Sequence, residues 1–210
     1  MAQVSASEAL ARLREGNRHF VLATTGQSAG AAKARPVELI DGQEPFAIIL
    51  GCSDSRVPAE IVFDQGLGDL FVIRVAGNVV APSQVGSVEF AAKRFGTRLV
   101  VVLGHTLCGA VQATLEELEQ ATEERSDYLR SIVDRIRPSV EALVYTELRN
   151  DPAKLMHHAV RANIRTAVDH LRHGSKILEE MIANDELLVV GAEYSLETGV
   201  VEFFEDGVTV

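Results

Sequence analysis

Short, continuous apolar runs recur in the middle of the chain and again near its end. They are rich in β-branched residues, do not alternate regularly with polar ones, and lie at 46–50, 70–75, 99–103 and 187–190. Such runs are typical of parallel strands that other elements cover on both faces. We therefore predict a parallel sheet built from these segments.

Segments with apolar residues at helical spacing separate and flank the predicted strands. They predict helices at 5–23, 87–95, 108–119, 126–148, 151–174 and 177–182. Pro138 lies inside the fourth of these helices and is expected to bend or break it. Asp151 and Pro152 are a favourable start for the fifth, because proline is tolerated at the first helical position.

Strands that alternate with helices favour an α/β fold, with right-handed crossovers and ligands bound beyond the carboxyl ends of the strands. The last apolar segment, 200–204, predicts an edge strand added to the sheet, with a turn at 206–207. We expect a single domain over 1–210, with a central mostly parallel sheet, flanking helices and an N-terminal helical arm at 1–25.

Composition argues against several classes of partner. The 30 acidic and 20 basic residues give a net charge of −10, which opposes attraction to nucleic acid or to anionic lipid. No stretch approaches the roughly 18 apolar residues that a membrane span needs, and the N-terminus lacks the apolar core of a signal peptide. We expect a cytoplasmic protein that binds neither nucleic acid nor a membrane.

The two cysteines call for an explanation. A disulfide is not expected in a reducing compartment, and the simplest alternative is that each cysteine is a small buried apolar residue. Cys52 and Asp54, however, directly follow one predicted strand, and His105 and Cys108 follow another. Thiolate, imidazole and carboxylate groups are the usual zinc ligands, so these four side chains predict a zinc site.

Structural and catalytic zinc sites both use such ligands. Structural sites fill all four positions, whereas catalytic sites leave one position for water or substrate. The predicted location, at the mouth of a parallel sheet, favours catalysis. Arg56 lies two residues beyond Asp54 and could pair with its carboxylate in a bidentate manner, which would draw Asp54 away from the metal.

Three motifs carry a family resemblance. With CSDSRVPAE at 52–60, LFVIRVAGN at 70–78 and GHTLCGAV at 104–111, the chain resembles the β-class carbonic anhydrases. The resemblance implies that Cys52, His105 and Cys108 are permanent ligands of one zinc ion per subunit. It also implies that Asp54 and Arg56 form a catalytic dyad, with Asp54 a zinc ligand only in a closed state.

The resemblance implies a substrate pocket as well. Gln43 matches a glutamine that orients the substrate, and Gly109 matches a glycine whose backbone N–H faces it. Phe71, Ala76 and Phe90 match an apolar wall that comes partly from a neighbouring subunit. Ordinary core packing is the alternative explanation for these last three residues.

A subset of the family has a second, non-catalytic bicarbonate site that favours the closed state. Its arginine matches Arg74 and its tyrosine matches Tyr194. Ile49 occupies the position of its tryptophan, and the chain contains no tryptophan at all. We therefore expect a zinc site that stays open near neutral pH, without control by bicarbonate.

The implied activity is the reversible hydration of carbon dioxide to bicarbonate and a proton, by attack of zinc-bound hydroxide. A hydrolase of carbon disulfide or carbonyl sulfide would use the same ligands and is the main alternative. A non-catalytic zinc protein is disfavoured, because the dyad and the ligands are intact. The family associates through its N-terminal helix, so we expect a homodimer or homotetramer, although a helix packed on its own domain fits the same pattern.

Overall fold

Five strands form one sheet in the computed structural model, which describes residues 4–26, 40, 42–119 and 126–204. Their spatial order is β2-β1-β3-β4-β5, and the first four are parallel, whereas β5 runs antiparallel to β4. The bounds are β1 (Ala47–Gly51), β2 (Leu70–Arg74), β3 (Leu99–His105), β4 (Leu188–Tyr194) and β5 (Val201–Phe203). The predicted α/β fold, with its C-terminal edge strand, is confirmed.

Seven α-helices flank the sheet within the described residues. Several begin at a side chain that accepts a hydrogen bond from the first turn, as Asp151 does from Lys154 N at 3.1 Å. The bounds are α1 (Ala6–Thr24), α2 (Ala59–Val62), α3 (Pro82–Phe95), α4 (Gly109–Glu119), α5 (Asp127–Val140), α6 (Pro152–His173) and α7 (Lys176–Ala183).

Two helix predictions were wrong in their extent. The helix predicted at 126–148 ends at Val140, and two short 3₁₀ segments, Glu141–Tyr145 and Glu147–Asn150, follow it. Pro138 lacks the N–H that would continue the hydrogen-bond ladder, so the helix ends shortly after it. The helix predicted from residue 87 begins earlier, at Pro82, where proline again occupies the first position. The turn predicted at 206–207 lies outside the described residues.

The two faces of the sheet pack into separate hydrophobic clusters. Along β3, Val100 and Val102 face the cluster that includes α6, whereas Val101 and Leu103 face the cluster that includes α1. Every residue of β3 is buried. This two-sided cover explains why the strands appear in the sequence as continuous apolar runs.

The N-terminal helix packs on its own chain. The Asn17 side chain is buried, donates to the carbonyls of Val62 at 3.1 Å and Gly199 at 2.9 Å, and accepts from the N–H of Val201 at 2.8 Å. A reach of this helix across a partner stays a prediction. In the part of the chain that the structure describes, every helix is too short or too polar to cross a membrane.

Candidate metal centre

Three potential metal ligands converge at the carboxyl ends of two adjacent strands. Cys52 directly follows β1, His105 is the last residue of β3, and Cys108 precedes α4. Their ligand atoms all lie within 4.8 Å of one another, and all three side chains are buried. The structure therefore brings together residues that are far apart in sequence, at the edge of the sheet where α/β folds bind ligands.

The geometry of this cluster fits a zinc ion. The sulfur atoms of Cys52 and Cys108 are 4.0 Å apart, close to the roughly 3.8 Å expected when two thiolates bind one tetrahedral zinc ion at about 2.3 Å. His105 Nε2 is buried without a hydrogen-bond partner among the described residues. Its other ring nitrogen, Nδ1, lies 2.9 Å from the carbonyl of Thr106, an arrangement that leaves Nε2 as the lone-pair donor to a metal.

The hydrogen bond between the Cys52 and Cys108 thiols separates their pKa values. The hydrogen bond from Cys108 lowers the pKa of Cys52 to about 4, and the same contact raises the pKa of Cys108 above its usual range. A thiol must lose its proton to bind a metal ion as thiolate. Metal binding at this cluster must therefore release a proton.

Asp54 and Arg56 form a bidentate ion pair beside the three ligands. Arg56 Nε donates to Asp54 Oδ1 at 2.9 Å, and its Nη2 donates to Oδ2 at 2.7 Å. These bonds hold the pKa of Asp54 well below its usual range, so its carboxylate is ionised at neutral pH. Oδ2 also lies 3.7 Å from His105 Nε2. The carboxylate thus adjoins the position of a metal ion while Arg56 holds it.

Arg74 supports the loop that carries Cys52 and Asp54. It is the last residue of β2, and its guanidinium donates to the carbonyl of Cys52 at 3.0 Å and to that of Asp54 at 2.6 Å. Ile49 is fully buried in β1, and Tyr194 is buried at the end of β4. Arg74 therefore holds backbone here, whereas the absence of a second bicarbonate site stays a prediction.

Two residues expected to face the substrate lie at exposed positions. Gly109 begins α4 directly after Cys108, and a Cβ atom there would meet nothing within 4 Å. Gln43 is exposed in the segment before β1. Gly109 thus adjoins the ligand cluster and faces open space. The substrate roles of both residues stay predictions.

Two residues of the expected apolar wall, Phe71 and Phe90, lie close to each other. Phe71 lies opposite Ile48, four residues before Cys52, on the edge strand β2. Its ring centroid is 6.2 Å from that of Phe90 and 6.0 Å from that of Phe95. We call these three rings the aromatic cluster. Its member Phe90 is 54% exposed.

Ala76 lies apart from the aromatic cluster. It follows β2 and precedes Gly77, whose backbone N–H donates to Cys52 Sγ at 3.4 Å. Ala76 is thus the chain neighbour of a residue that contacts a candidate metal ligand. Sequence reasoning missed Gly77, although a glycine followed by asparagine after an apolar strand signals a special backbone conformation.

Comparison with known proteins agrees with this geometry. A protein-family profile described as "Carbonic anhydrase" matches residues 47–201. "Carbonic anhydrase 2" of Mycobacterium tuberculosis is 39% identical over 187 residues, which cover 89% of this chain and 87% of that protein.

Solved structures share the fold. The β-carbonic anhydrase CcaA has a TM-score of 0.71 at 27% identity, over 80% of this chain and 84% of that one. A tetrameric β-carbonic anhydrase of Sordaria macrospora also has a TM-score of 0.71, at 23% identity and with the same coverage. The family match covers most of the chain, and the convergence of Cys52, His105 and Cys108 agrees with it. This chain therefore belongs to the β-class carbonic anhydrases.

Proposed function

We propose that this protein catalyses the zinc-dependent, reversible hydration of carbon dioxide to bicarbonate and a proton. The observation that carries the proposal is the buried cluster of Cys52, His105 and Cys108, with the Asp54–Arg56 pair beside it. When bound by these three ligands, zinc would supply an acidified water whose hydroxide attacks the carbon of carbon dioxide.

The Asp54–Arg56 dyad would keep the fourth metal position open and orient the reacting water. Arg56 engages both carboxylate oxygens of Asp54, which keeps this side chain from closing the fourth position of the metal. The ionised carboxylate remains free to accept one hydrogen bond from the reacting water and so to orient it. We infer that the site is open near neutral pH and that bicarbonate does not close it, since Ile49 replaces the tryptophan of the regulated members.

The substrate is linear and apolar, so its pocket needs an apolar wall and few polar groups. We propose that Gln43 and the backbone N–H of Gly109 orient the substrate, and that Ala76 forms part of the wall. Phe71 and Phe90 would complete the wall of a neighbouring subunit, because Phe90 is largely exposed and the half-buried Phe71 packs beside it. This arrangement requires a homodimer at least, and a homotetramer is the next candidate.

The compartment follows from the ligand chemistry. Both thiols must remain reduced to bind zinc, and a cytosolic glutathione pool keeps thiols in that state. We therefore propose a cytoplasmic location.

Stopped-flow hydration of carbon dioxide, combined with metal analysis, tests the proposed function. Wild-type protein should contain one zinc ion per subunit and hydrate carbon dioxide, whereas Cys52→Ser should lose both properties. Ser53→Ala is the matched control, because Ser53 is the exposed neighbour of Cys52. Stoichiometric zinc without hydration activity in the wild type would refute the proposal. Hydrolysis of carbon disulfide or carbonyl sulfide by that inactive protein would identify the alternative enzyme.

The pH profile is a second test. Two thiolates donate more electron density to zinc than neutral imidazoles do, so the bound water should be less acidic than in a three-histidine site. Hydration should therefore become faster from neutral to alkaline pH. A rate that is flat or falls over this range would contradict the proposed ligand set.

A further inference from the structure

A tight turn after β2 places a backbone donor against one of the candidate metal ligands. Gly77 has φ +67° and the next residue, Asn78, has φ +45°, so two successive residues adopt the left-handed conformation. The Gly77 N–H donates to Cys52 Sγ at 3.4 Å. A Cβ atom on Gly77 would lie 2.7 Å from Ile136 Cδ1 and 3.1 Å from Ala110 Cβ. Conformation and space therefore both require glycine.

Helix α6 approaches this turn closely because the sheet presents glycines beneath it. A Cβ atom on Gly104 would lie 2.5 Å from Ile164 Cδ1, and one on Gly191 would lie 2.9 Å from Ile164 Cγ2. Ile164 itself is fully buried. The close approach fixes the height of α6 over the end of β3, beside the ligand cluster, and over the middle of β4.

Asn163, the neighbour of Ile164 on α6, connects the helix to the turn. Its side chain is 3% exposed, and its Nδ2 donates to the carbonyl of Gly77 at 2.8 Å. The two groups are 86 residues apart in sequence. Gly77 therefore has two contacts: its carbonyl accepts a hydrogen bond from Asn163, and its N–H contacts the sulfur of Cys52.

We propose that Asn163 is a positioning residue of the metal centre, which acts through Gly77 to aim a hydrogen bond at the Cys52 sulfur. The inference rests on the proposed zinc site. Asn163 touches neither the metal position nor the substrate position in this assignment. Its contribution is to fix the carbonyl of Gly77, and with it the direction of the N–H that points to the Cys52 sulfur.

The hydrogen bond should affect how strongly Cys52 donates to the metal. A donor aimed at a thiolate stabilises the negative charge on sulfur and orients the ligand before the metal arrives. Loss of the bond should therefore weaken metal binding and make the sulfur electrons easier to transfer to the metal. A purely structural asparagine would have neither effect.

Substitution of Asn163 in the full-length protein tests the proposal. Asn163→Leu removes the amide and keeps most of the volume. Asn17→Leu is the matched control, because Asn17 is also buried and also donates to backbone carbonyls, but its partners Val62, Gly199 and Val201 lie outside the metal centre. Each variant is loaded with cobalt(II), and its thiolate-to-cobalt charge-transfer band is recorded. Zinc affinity is then measured by competition with a chelator, and stability by urea unfolding.

We expect Asn163→Leu to shift the cobalt band to longer wavelength and to lower zinc affinity by about 10-fold or more. Asn17→Leu should lower stability but leave both metal measurements at wild-type values. An unchanged band and unchanged zinc affinity in Asn163→Leu would overturn the proposal. If this variant does not fold, Asn163→Ala and Asn17→Ala provide the same comparison, and an unchanged band would again be decisive.

These measurements separate the inference from the proposed function. A wild-type protein that binds cobalt through thiolate but does not hydrate carbon dioxide would refute the function and leave the role of Asn163 intact. A wild-type cobalt protein without a charge-transfer band would refute the inference along with the ligand assignment.

Discussion

At the scale of single residues, we expect the Asp54–Arg56 pair to decide whether the candidate metal centre has a free position. We predict that Arg56→Ala lowers the rate of carbon dioxide hydration by about 10- to 100-fold, because Asp54 loses the partner that holds it off the metal. Zinc content should not fall, since the released carboxylate becomes an additional ligand. Stopped-flow kinetics and metal analysis provide the two measurements.

The exposed serine between these two residues provides the control. Ser55→Ala changes the same loop without touching the carboxylate, so its rate should equal that of the wild type. Wild-type activity in Arg56→Ala would show that Asp54 stays in place without its partner.

The ionisation of Asp54 has a predictable pH dependence. Arg56 depresses the pKa of this carboxyl in the folded chain, so the pair stabilises the protein above the unfolded pKa of about 4 and loses this contribution as pH falls through the folded value. The pair should therefore be intact throughout the neutral range.

At the scale of elements, an ion network joins α6 to the two C-terminal strands. Arg161 donates to Glu193 on β4 at 3.0 Å and to Glu202 on β5 at 2.9 and 2.8 Å. The side chain of Glu193 is only 6% exposed, whereas that of Glu202 is 62% exposed. Removal of Arg161 would therefore leave one buried carboxylate without its partner.

We predict that Arg161→Met lowers the free energy of unfolding by about 3–5 kcal/mol, the usual cost of an unpaired buried charge. Glu202→Gln should cost about 1 kcal/mol or less, because solvent already screens that carboxylate. Urea unfolding of the two variants measures the difference. Equal losses would contradict this assignment of the buried and exposed partners.

The elements also show what could be predicted from the sequence. The continuous apolar runs located four parallel strands, because a strand that is buried on both faces contains apolar residues at successive positions. The strand ends were less clear: β3 continues through Gly104 to His105, and β4 continues through Gly191 to Tyr194, although a glycine ends each apolar run.

In the candidate site, too, local features could be predicted from the sequence and long-range contacts could not. The cluster of Cys52, His105 and Cys108 and the Asp54–Arg56 pair could be predicted, because these residues lie in short local motifs directly after strands. Arg74 and Asn163 act on backbone carbonyls 20 or more residues away in the chain, and such contacts depend on tertiary packing that no local pattern records. The sequence contains a weak signal for the tight turn at Gly77, but no signal for the contact of that turn with Cys52.

At the scale of the whole molecule, the aromatic cluster is the candidate subunit contact. We predict that Phe90→Glu shifts the protein from a dimer or tetramer towards a monomer, because the charge replaces an exposed ring that should be buried against a partner. Hydration activity should fall with the assembly. Analytical ultracentrifugation and stopped-flow kinetics measure the two effects.

A second exposed apolar residue provides the control for added surface charge. Leu129 on α5 is 61% exposed and does not belong to the aromatic cluster. Leu129→Glu should leave the mass of the assembly and the hydration activity unchanged. An unchanged mass of the assembly in Phe90→Glu would show that the aromatic cluster is not a subunit contact.

Removal of zinc tests how far the fold depends on the metal. The ligands lie at the ends of strands whose residues are already buried, so we predict that chelated protein keeps its helix and sheet content by circular dichroism while its melting temperature falls. Loss of the helical signal on chelation would show that the metal is part of the core.

The spacing of the ligands along the chain has a consequence for biosynthesis. Cys52 and Cys108 lie 56 positions apart in the chain, and the pairing of β1 with β3 brings them together. When only the first cysteine has emerged from the ribosome, the nascent chain lacks the second thiol. It should therefore bind zinc weakly at that stage. Zinc should enter after the sheet has assembled, and a zinc-starved cell should accumulate folded, inactive subunits that await the ion.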